Sequence, residues 1–378
     1  MAGTGIDAPG VPKAADETVF IDRIGVEAYT VPTDGPESDG TLEWTSTTMV
    51  VVHLHAGGQW GLGFSYADTA TAALIRDRFT PLLMGQNALA IPACWEAMRH
   101  AIRNLGRPGI ASMAIAAVDI ALWDLKARWL ALPLVTLLGA ARPSVPVYGS
   151  GGFTSYTDRK LEAQLGGWAR EGITRVKMKI GREPGRDPQR VSVARRAIGP
   201  DVGLLVDANG AYSRKQALDM SEHLAESVVT WFEEPVSSDD LDGLRLMRDR
   251  APAGIEITAG EYGYDLPYFR RMLEAGAVDV LQADATRCAG ITGFMRTAAL
   301  CEAYGLPLSA HCAPSIHVHP ACAAGPLRHI EFFHDHVRIE HLLFDGALSP
   351  IRGSLHPDLS RPGLGLEFKQ ADAQRYAL

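Results

Sequence analysis

The sequence predicts an α/β protein whose larger part is a barrel of eight parallel strands. Three observations carry this. From about residue 145 onward, short apolar runs alternate with amphipathic helical stretches. The runs are VPVY, TRVKMKI, GLLVDAN, VVTWFEE, IEITAGE, VDVLQAD, LPLSAH and RHIEFF. Such alternation implies parallel strands joined by helical crossovers, and eight units are the number that closes a (β/α)8 barrel. No G-x-G-x-x-G sits at a first strand-to-helix turn, which counts against a doubly wound sheet, the main competing arrangement.

The elements ahead of the barrel read differently. Residues 1 to 18 are rich in Gly, Ala, Pro and Asp and form an expected lead-in of low order. Strands begin near Phe20, and STTMVVVHLHAGGQWGLGFSY reads as two strands meeting at Gly57-Gly58. PTDGPESDGTLEW, just before Thr45, reads as a polar Gly/Pro loop. Helices are expected over residues 69–84, 91–105 and 110–131, the last apolar on most faces and therefore buried. The expected division is an N-terminal α+β domain over 19–140, the barrel over 141–340, and a segment over 341–378 that packs back on the first domain.

Composition excludes several function classes. The 378 residues are 47% apolar and 21% charged, with a formal net charge of −8. That balance, without a Lys/Arg-rich run, argues against nucleic acid as a partner. The apolar stretch SMAIAAVDIALWDL is broken by Asp119 and Asp124, so no membrane span is expected. No secretion signal is recognisable, and the five cysteines form no C-x-x-C pair. Reduced thiols and a cytoplasmic location are the expectation.

The chemistry gathers at the ends of the runs. In RVKMKIG, Val176, Met178 and Ile180 alternate with Lys177 and Lys179, so both lysines share one strand face and would point into the barrel. Later runs end in Asp207, Glu233, Glu261, Asp284, His311 and Glu331, each 20 to 28 residues from the last. That is about one strand–helix unit per step, and barrel enzymes collect their chemistry at the C-terminal strand ends. A lone Asp after a strand is more often a helix cap and a lone His more often structural. Recurrence on successive strands is what points to one functional ring. Asp207, Glu233 and Glu261 are three hard oxygen donors without Cys or His between them, a set suited to Mg²⁺. Asn209 and Glu234 are expected behind that set. Asp284 can orient the His311 imidazole. A nearby cation and burial are expected to lower the Lys179 pKa so that it serves as a neutral base, while Lys177 meets a substrate carboxylate.

With these residues in place, the chain resembles the enolase superfamily, specifically its mandelate racemase/muconate lactonizing branch. The resemblance rests on KMK (177–179), VDANG, FEEP, AGE, QADATRCAGITG, AHC and HIEFF, with ALWDLKARWLALPLVTLLGA ahead of the barrel. It spans about residues 20 to 370. It implies a modified (β/α)8 TIM barrel under an N-terminal α+β capping domain, with Mg²⁺ bound by Asp207, Glu233 and Glu261. It implies that Lys179 and the His311–Asp284 dyad flank the α-carbon of a small carboxylate substrate, with Glu331 on the carboxylate as it becomes an enediolate. It also implies an even-numbered homo-oligomer, dimer to octamer.

Two fates are open to an enediolate. Protonation on the opposite face racemises or epimerises a 2-hydroxy acid, and loss of a β-hydroxyl gives a 2-keto-3-deoxy acid. The expectation is dehydration of an acid sugar, with racemisation or epimerisation as the alternative. It draws on the polar groups Asp34, Glu37, Asp39, Glu43, Tyr66 and Asp68 in the expected specificity loops, among which Glu43 and Tyr66 are candidate substrate contacts with Asn209. The muconate-lactonising reaction expects a lysine after the sixth strand, where this chain has Arg287. A zinc hydrolase built on HCAPSIHVHP and HDH is a separate reading, disfavoured by the three carboxylates.

Overall fold

The computed structural model describes residues 18–378, so the lead-in expected over residues 1–17 lies outside the described residues. Three antiparallel strands come first: β1 (Ile21–Ser38), β2 (Glu43–Ala56) and β3 (Gln59–Tyr66), in the order β1-β2-β3. Ala56 pairs with Gln59, so Gly57 and Gly58 form a two-residue turn. Both have positive φ, 57° and 76°, which glycine adopts without steric cost. The expected polar loop is mostly strand. β1 runs on to Ser38, and Glu37 and Ser38 pair with Trp44 and Glu43. An irregularity between Pro32 and Glu37 absorbs Asp34-Gly35-Pro36, so only residues 39–42 remain as a turn.

The helical stretch expected over 69–84 is three pieces: Thr69–Leu74, a π turn at Ile75–Phe79, and Thr80–Leu83. The helix expected to reach residue 105 ends at Ala101. Helix Ile110–Trp129 is buried on nearly every face, because it lies between the antiparallel sheet and the barrel. Gly61 and Gly63 make the first contact possible: a Cβ there would stand 2.2 Å from the Ala121 carbonyl oxygen and 2.1 Å from that of Ala117. The helix's two buried aspartates tie the layers together. Asp119 accepts from the Thr292 amide (2.9 Å) and hydroxyl (2.6 Å) on the barrel side. Asp124 accepts from the Leu62 amide (2.8 Å), the Leu364 amide (2.6 Å) and Arg128 Nε (2.8 Å).

The barrel strands are β4 (Val145–Gly151), β5 (Arg175–Lys179), β6 (Gly203–Asp207), β7 (Val229–Glu233), β8 (Glu256–Ala259), β9 (Val280–Ala283), β10 (Leu308–Ala310) and β11 (Leu327–Phe333). Each pairs in parallel with the next, and β11 pairs with β4, which closes the barrel. A helix follows every strand, from Asp158–Arg170 after β4 to His334–Leu343 after β11. Local chemistry starts several of these helices. Thr157, Ser213, Asp240 and Asp265 each accept an amide from the first turn, and Ser213 with Gln216 forms a full capping box.

Residue 341, where the last expected segment begins, falls inside helix His334–Leu343. Beyond that helix the chain touches both earlier parts. Ser354–Leu355 pairs with β4, whereas Leu378 donates its amide to the Ala28 carbonyl and Ala377 bridges Tyr29. Among the described residues, no helix is long and apolar enough to cross a membrane. All five cysteines are buried and unpaired.

Candidate active site

Barrel register brings the strand ends together. Lys179 pairs in register with Asp207, Asp207 with Glu233, and Glu233 with Thr258. Glu261 follows just past the end of β8. One oxygen from each of Asp207, Glu233 and Glu261 lies within 4.8 Å of the others, and all three residues are buried.

The two lysines are neutralised from other strands. Lys177 Nζ lies 2.5 Å from Glu233 Oε1, 2.9 Å from Glu331 Oε1 and 3.7 Å from Asp207 Oδ2. Lys179 Nζ lies 2.5 Å from Asp207 Oδ2. Lys177 is fully buried, and its ammonium is held by the Glu233 and Glu331 carboxylates. One expectation is corrected here. Lys179 is not pushed toward the neutral form. Burial alone would lower its pKa, but Asp207, with Glu261 and Glu233 behind it, raises it above the ordinary lysine value.

The carboxylates answer to the same field in opposite ways. Burial, then Asp207, pushes Glu233 up to about 8. Burial, then Glu261, raises Glu234 well above the usual range. Burial would raise Glu261 too, yet His311 and Arg287 hold it well below. Glu331 is likewise held down, against burial, by Lys177 and His311.

Asp284 and His311 form the expected pair, with His311 Nδ1 2.9 Å from Asp284 Oδ2. The other oxygen, Asp284 Oδ1, accepts from the Thr286 amide and hydroxyl, both at 2.7 Å. The carboxylate is therefore fixed on both sides, and it fixes the ring. His311 Nε2 faces inward, 3.3 Å from Glu261 Oε2 and 3.6 Å from Glu331 Oε2. Burial would lower the His311 pKa, but Cys312, Glu261 and Glu331 beside it push it well above the ordinary imidazole value.

A cleft of about 420 Å³ opens between the barrel end and the antiparallel sheet. Lys179, Asn209, Glu261, Arg287, His311 and Glu331 line it from the barrel. Asn209 has φ of 47° and donates its amide to Asp207 Oδ1 at 2.8 Å, while its own Oδ1 is buried without a partner. Arg287 Nη1 lies 3.4 Å from Glu261 Oε1, its Nε 3.7 Å from Asp284 Oδ2, and its guanidinium over the Tyr262 ring.

The polar groups expected to recognise substrate are mostly engaged elsewhere. Glu43 is exposed, pairs with Arg182 at 3.0 Å and does not line the cleft, because its side chain alternates away from that of Trp44. Asp34 binds His334 at 2.9 Å, and Glu37 accepts from Trp44 Nε1 at 2.9 Å. Tyr66 lines the cleft, but it stacks on His336 at 3.4 Å between ring centroids, and its hydroxyl points to the His336 carbonyl and Glu340. Of the histidines in HCAPSIHVHP, His311 stands with Cys312 and Glu331 in a group whose donor atoms lie within 4.8 Å, whereas the other two turn to backbone carbonyls. His317 Nδ1 faces the Cys312 carbonyl at 2.8 Å and His319 Nε2 the Leu364 carbonyl at 3.1 Å.

Several contributors were not singled out by sequence. Ser150 donates to Glu331 Oε1 at 2.5 Å, and Trp231 Nε1 donates to Glu233 Oε2 at 2.9 Å. Cys312 lines the cleft with its thiol 3.3 Å from His311 Nε2. Trp44, Phe333 and His336 complete the walls. Cys312 had a signal in its adjacency to His311, and Ser150 in the GSGG that continues VPVY. The others depend on packing between distant segments.

Comparisons with known proteins agree with this geometry. Residues 160–373 match the family model described as Enolase C-terminal domain-like. Residues 30–139 match that of the mandelate racemase / muconate lactonizing enzyme N-terminal domain. A 3,6-anhydro-alpha-L-galactonate cycloisomerase from Streptomyces coelicolor is 31% identical over 364 residues, covering 93% of this chain and 98% of the relative. A mandelate racemase/muconate lactonizing enzyme-like protein from Rubrobacter xylanophilus superposes with a TM-score of 0.93 at 56% identity, covering 95% of this chain and 100% of that one. The L-talarate/galactarate dehydratase of Salmonella typhimurium LT2, liganded with Mg and L-lyxarohydroxamate, superposes with a TM-score of 0.88 at 27% identity, covering 100% and 98%. The chain belongs to the mandelate racemase/muconate lactonizing enzyme family of the enolase superfamily.

Proposed function

We propose that this enzyme removes the proton α to the carboxylate of an acid sugar and dehydrates the product to a 2-keto-3-deoxy acid, with Mg²⁺ as cofactor. The observation that carries the reading is a convergence at one end of the barrel. Three buried carboxylates stand within 4.8 Å, with Lys179 beside Asp207 and His311 beside Glu261. The donor set fits a hard divalent cation: Asp207, Glu233 and Glu261 are all buried and offer oxygens only. When bound, Mg²⁺ would supply Lewis-acid stabilisation of charge developing on the substrate carboxylate and would compete with Lys179 for Asp207.

The chain's own groups do the rest. Released from its pair, Lys179 gives its extra proton to solvent and, as the neutral amine, takes the α-proton at Nζ, and the electron pair of the broken C–H bond passes into the carboxylate. Glu331, held by Lys177 and Ser150, is placed to share a hydrogen bond with the oxygen that gains charge. His311, oriented by Asp284, gives its Nε2 proton to the β-hydroxyl as the C–O bond breaks, and water leaves. The resulting enol tautomerises to the 2-keto acid. Relatives named as dehydratases of galactarate, arabinonate and gluconate support the choice.

A second reading is isomerisation. Both Lys179 and His311 line the cleft, so proton removal and return can occur at separate groups, and two relatives are named cycloisomerases. We further propose a cytoplasmic, self-associating enzyme of carbohydrate-acid breakdown. The test is a panel of mono- and diacid sugars with Mg²⁺, read by 2-keto acid formation and by solvent deuterium at the α-carbon. Keto acid supports dehydration, and exchange with inversion alone supports isomerisation. Full turnover after exhaustive chelation, or no exchange with any acid, overturns the proposal.

A further inference from the structure

Among the described residues, the barrel side of the cleft carries charges of both signs, and the side supplied by the N-terminal part carries carboxylates alone. Its uncharged lining includes Leu42, Trp44, Ser46, Thr47 and Tyr66, and its charged groups are Asp39 and Asp68. Among the described residues that line the cleft, the lysine and arginine side chains are Lys179 and Arg287, and both stand on the barrel side. Arg287 is already engaged by Glu261 and Asp284. The imidazoles add no free positive charge facing the sheet. His311 is committed to Asp284. His336 lies flat on Tyr66, receives the Ala313 amide at Nδ1 (3.4 Å), and is pushed down to about 3 by burial.

The wall's two carboxylates are bound by their own loops. Asp39 Oδ1 accepts the amides of Thr41 (2.6 Å) and Leu42 (2.7 Å), and Asp39 is buried. Asp68 Oδ1 accepts the Ala70 amide at 2.8 Å and caps the helix that begins at Thr69. Both are thereby fixed in place beside the cleft.

We propose that the cleft takes monocarboxylic sugar acids and discriminates against dicarboxylic ones, so that the substrate end away from the reacting carbon is uncharged. This rests on the acid-sugar reading above. One carboxylate of a diacid would occupy the barrel side. The other would face the side lined by Leu42 and Trp44, which offers the Asp39 and Asp68 carboxylates and no lysine or arginine. Like charges set against a competitor are a common source of specificity. A hydroxymethyl or methyl end meets no such opposition, and its C–H faces can pack on the Trp44 and Tyr66 rings.

The test compares kcat/KM for pairs of aldonic and aldaric acids of matched configuration, with Mg²⁺ present and α-deuterium exchange followed separately. The aldonic member is expected to be preferred by about a hundredfold or more. Equal or better use of the aldaric member overturns this inference and leaves the acid-sugar reading standing. Absence of both exchange and keto acid across the whole panel overturns that reading itself. The double variant Asp39→Asn with Asp68→Asn removes both charges while keeping a turn-forming and capping amide. It should raise kcat/KM for the aldaric acid several-fold relative to the aldonic one. An unchanged ratio overturns the repulsion argument.

Discussion

Strand β8 carries a glutamate at its start and another just past its end, and the two live in different worlds. Glu256, at the start, is about 40% exposed and pairs with the half-exposed Arg328. Glu261, at the other end, is buried within 4.8 Å of two more carboxylates. Strand β5 repeats the contrast, with Arg175 exposed at one end and Lys179 buried at the other. Within each pair the sign of the charge is the same. What differs is which end of the barrel is covered. The antiparallel sheet roofs the C-terminal end, so charges there lose water and must satisfy one another. At the open end they remain solvated, where an ion pair contributes little.

The sharpest way to break this contrast is to neutralise one glutamate of β8 at a time. Glu261→Gln is expected to abolish Mg²⁺-supported turnover, by at least about a thousandfold, since it removes a charge from the cation set and a partner of His311. Far-UV circular dichroism should stay native. Retention of a tenth of the activity would place the reacting centre elsewhere.

The next effect separates two groups within the roofed end. Lys179→Ala should block α-proton exchange for substrates of one configuration. His311→Asn should spare that exchange and block net dehydration. Losses of about 10²–10⁴-fold are the scale of general acid–base catalysis. NMR of deuterium uptake, with a substrate and its α-epimer, reads both variants. If both lose exchange on the same epimer only, the two groups do not face opposite sides of one carbon.

A milder effect probes the roof itself. Burial, then Asp335, pushes Glu37 up to about 8. A carboxyl raised in the folded state binds its proton more tightly than the unfolded chain does. Its contribution is fully present below the ordinary value near 4.5 and is lost as pH rises toward 8. Glu37→Gln should therefore flatten the fall of Tm between about pH 5 and 8. Parallel Tm curves for the two proteins would show that Glu37 does not titrate in that window.

The smallest effect belongs to the open end. Glu256→Gln removes the Arg328 pair and should cost no more than about 1 kcal/mol in denaturant unfolding, with kcat/KM within about twofold. A thousandfold loss there would erase the distinction between the two ends.

Sequence alone determined a good deal. The two-residue alternation in RVKMKIG, and acidic or basic endings on successive runs, specified eight strands and a single ring of chemistry at one barrel mouth. These are local signals, because side-chain direction along a strand and the strand–helix rhythm depend only on near neighbours. Tertiary structure decided the rest. Whether Lys177 faces a substrate or Glu233 and Glu331 depends on strands about 50 and 150 residues away coming into register. Whether Glu43 or Trp44 reaches the cleft depends on β1 continuing as strand through residues that read as a loop, which sets the register of β2. The direction of the Lys179 shift was equally out of reach. It is a sum over burial and four charges brought together by barrel closure, and no stretch of sequence contains more than two of them.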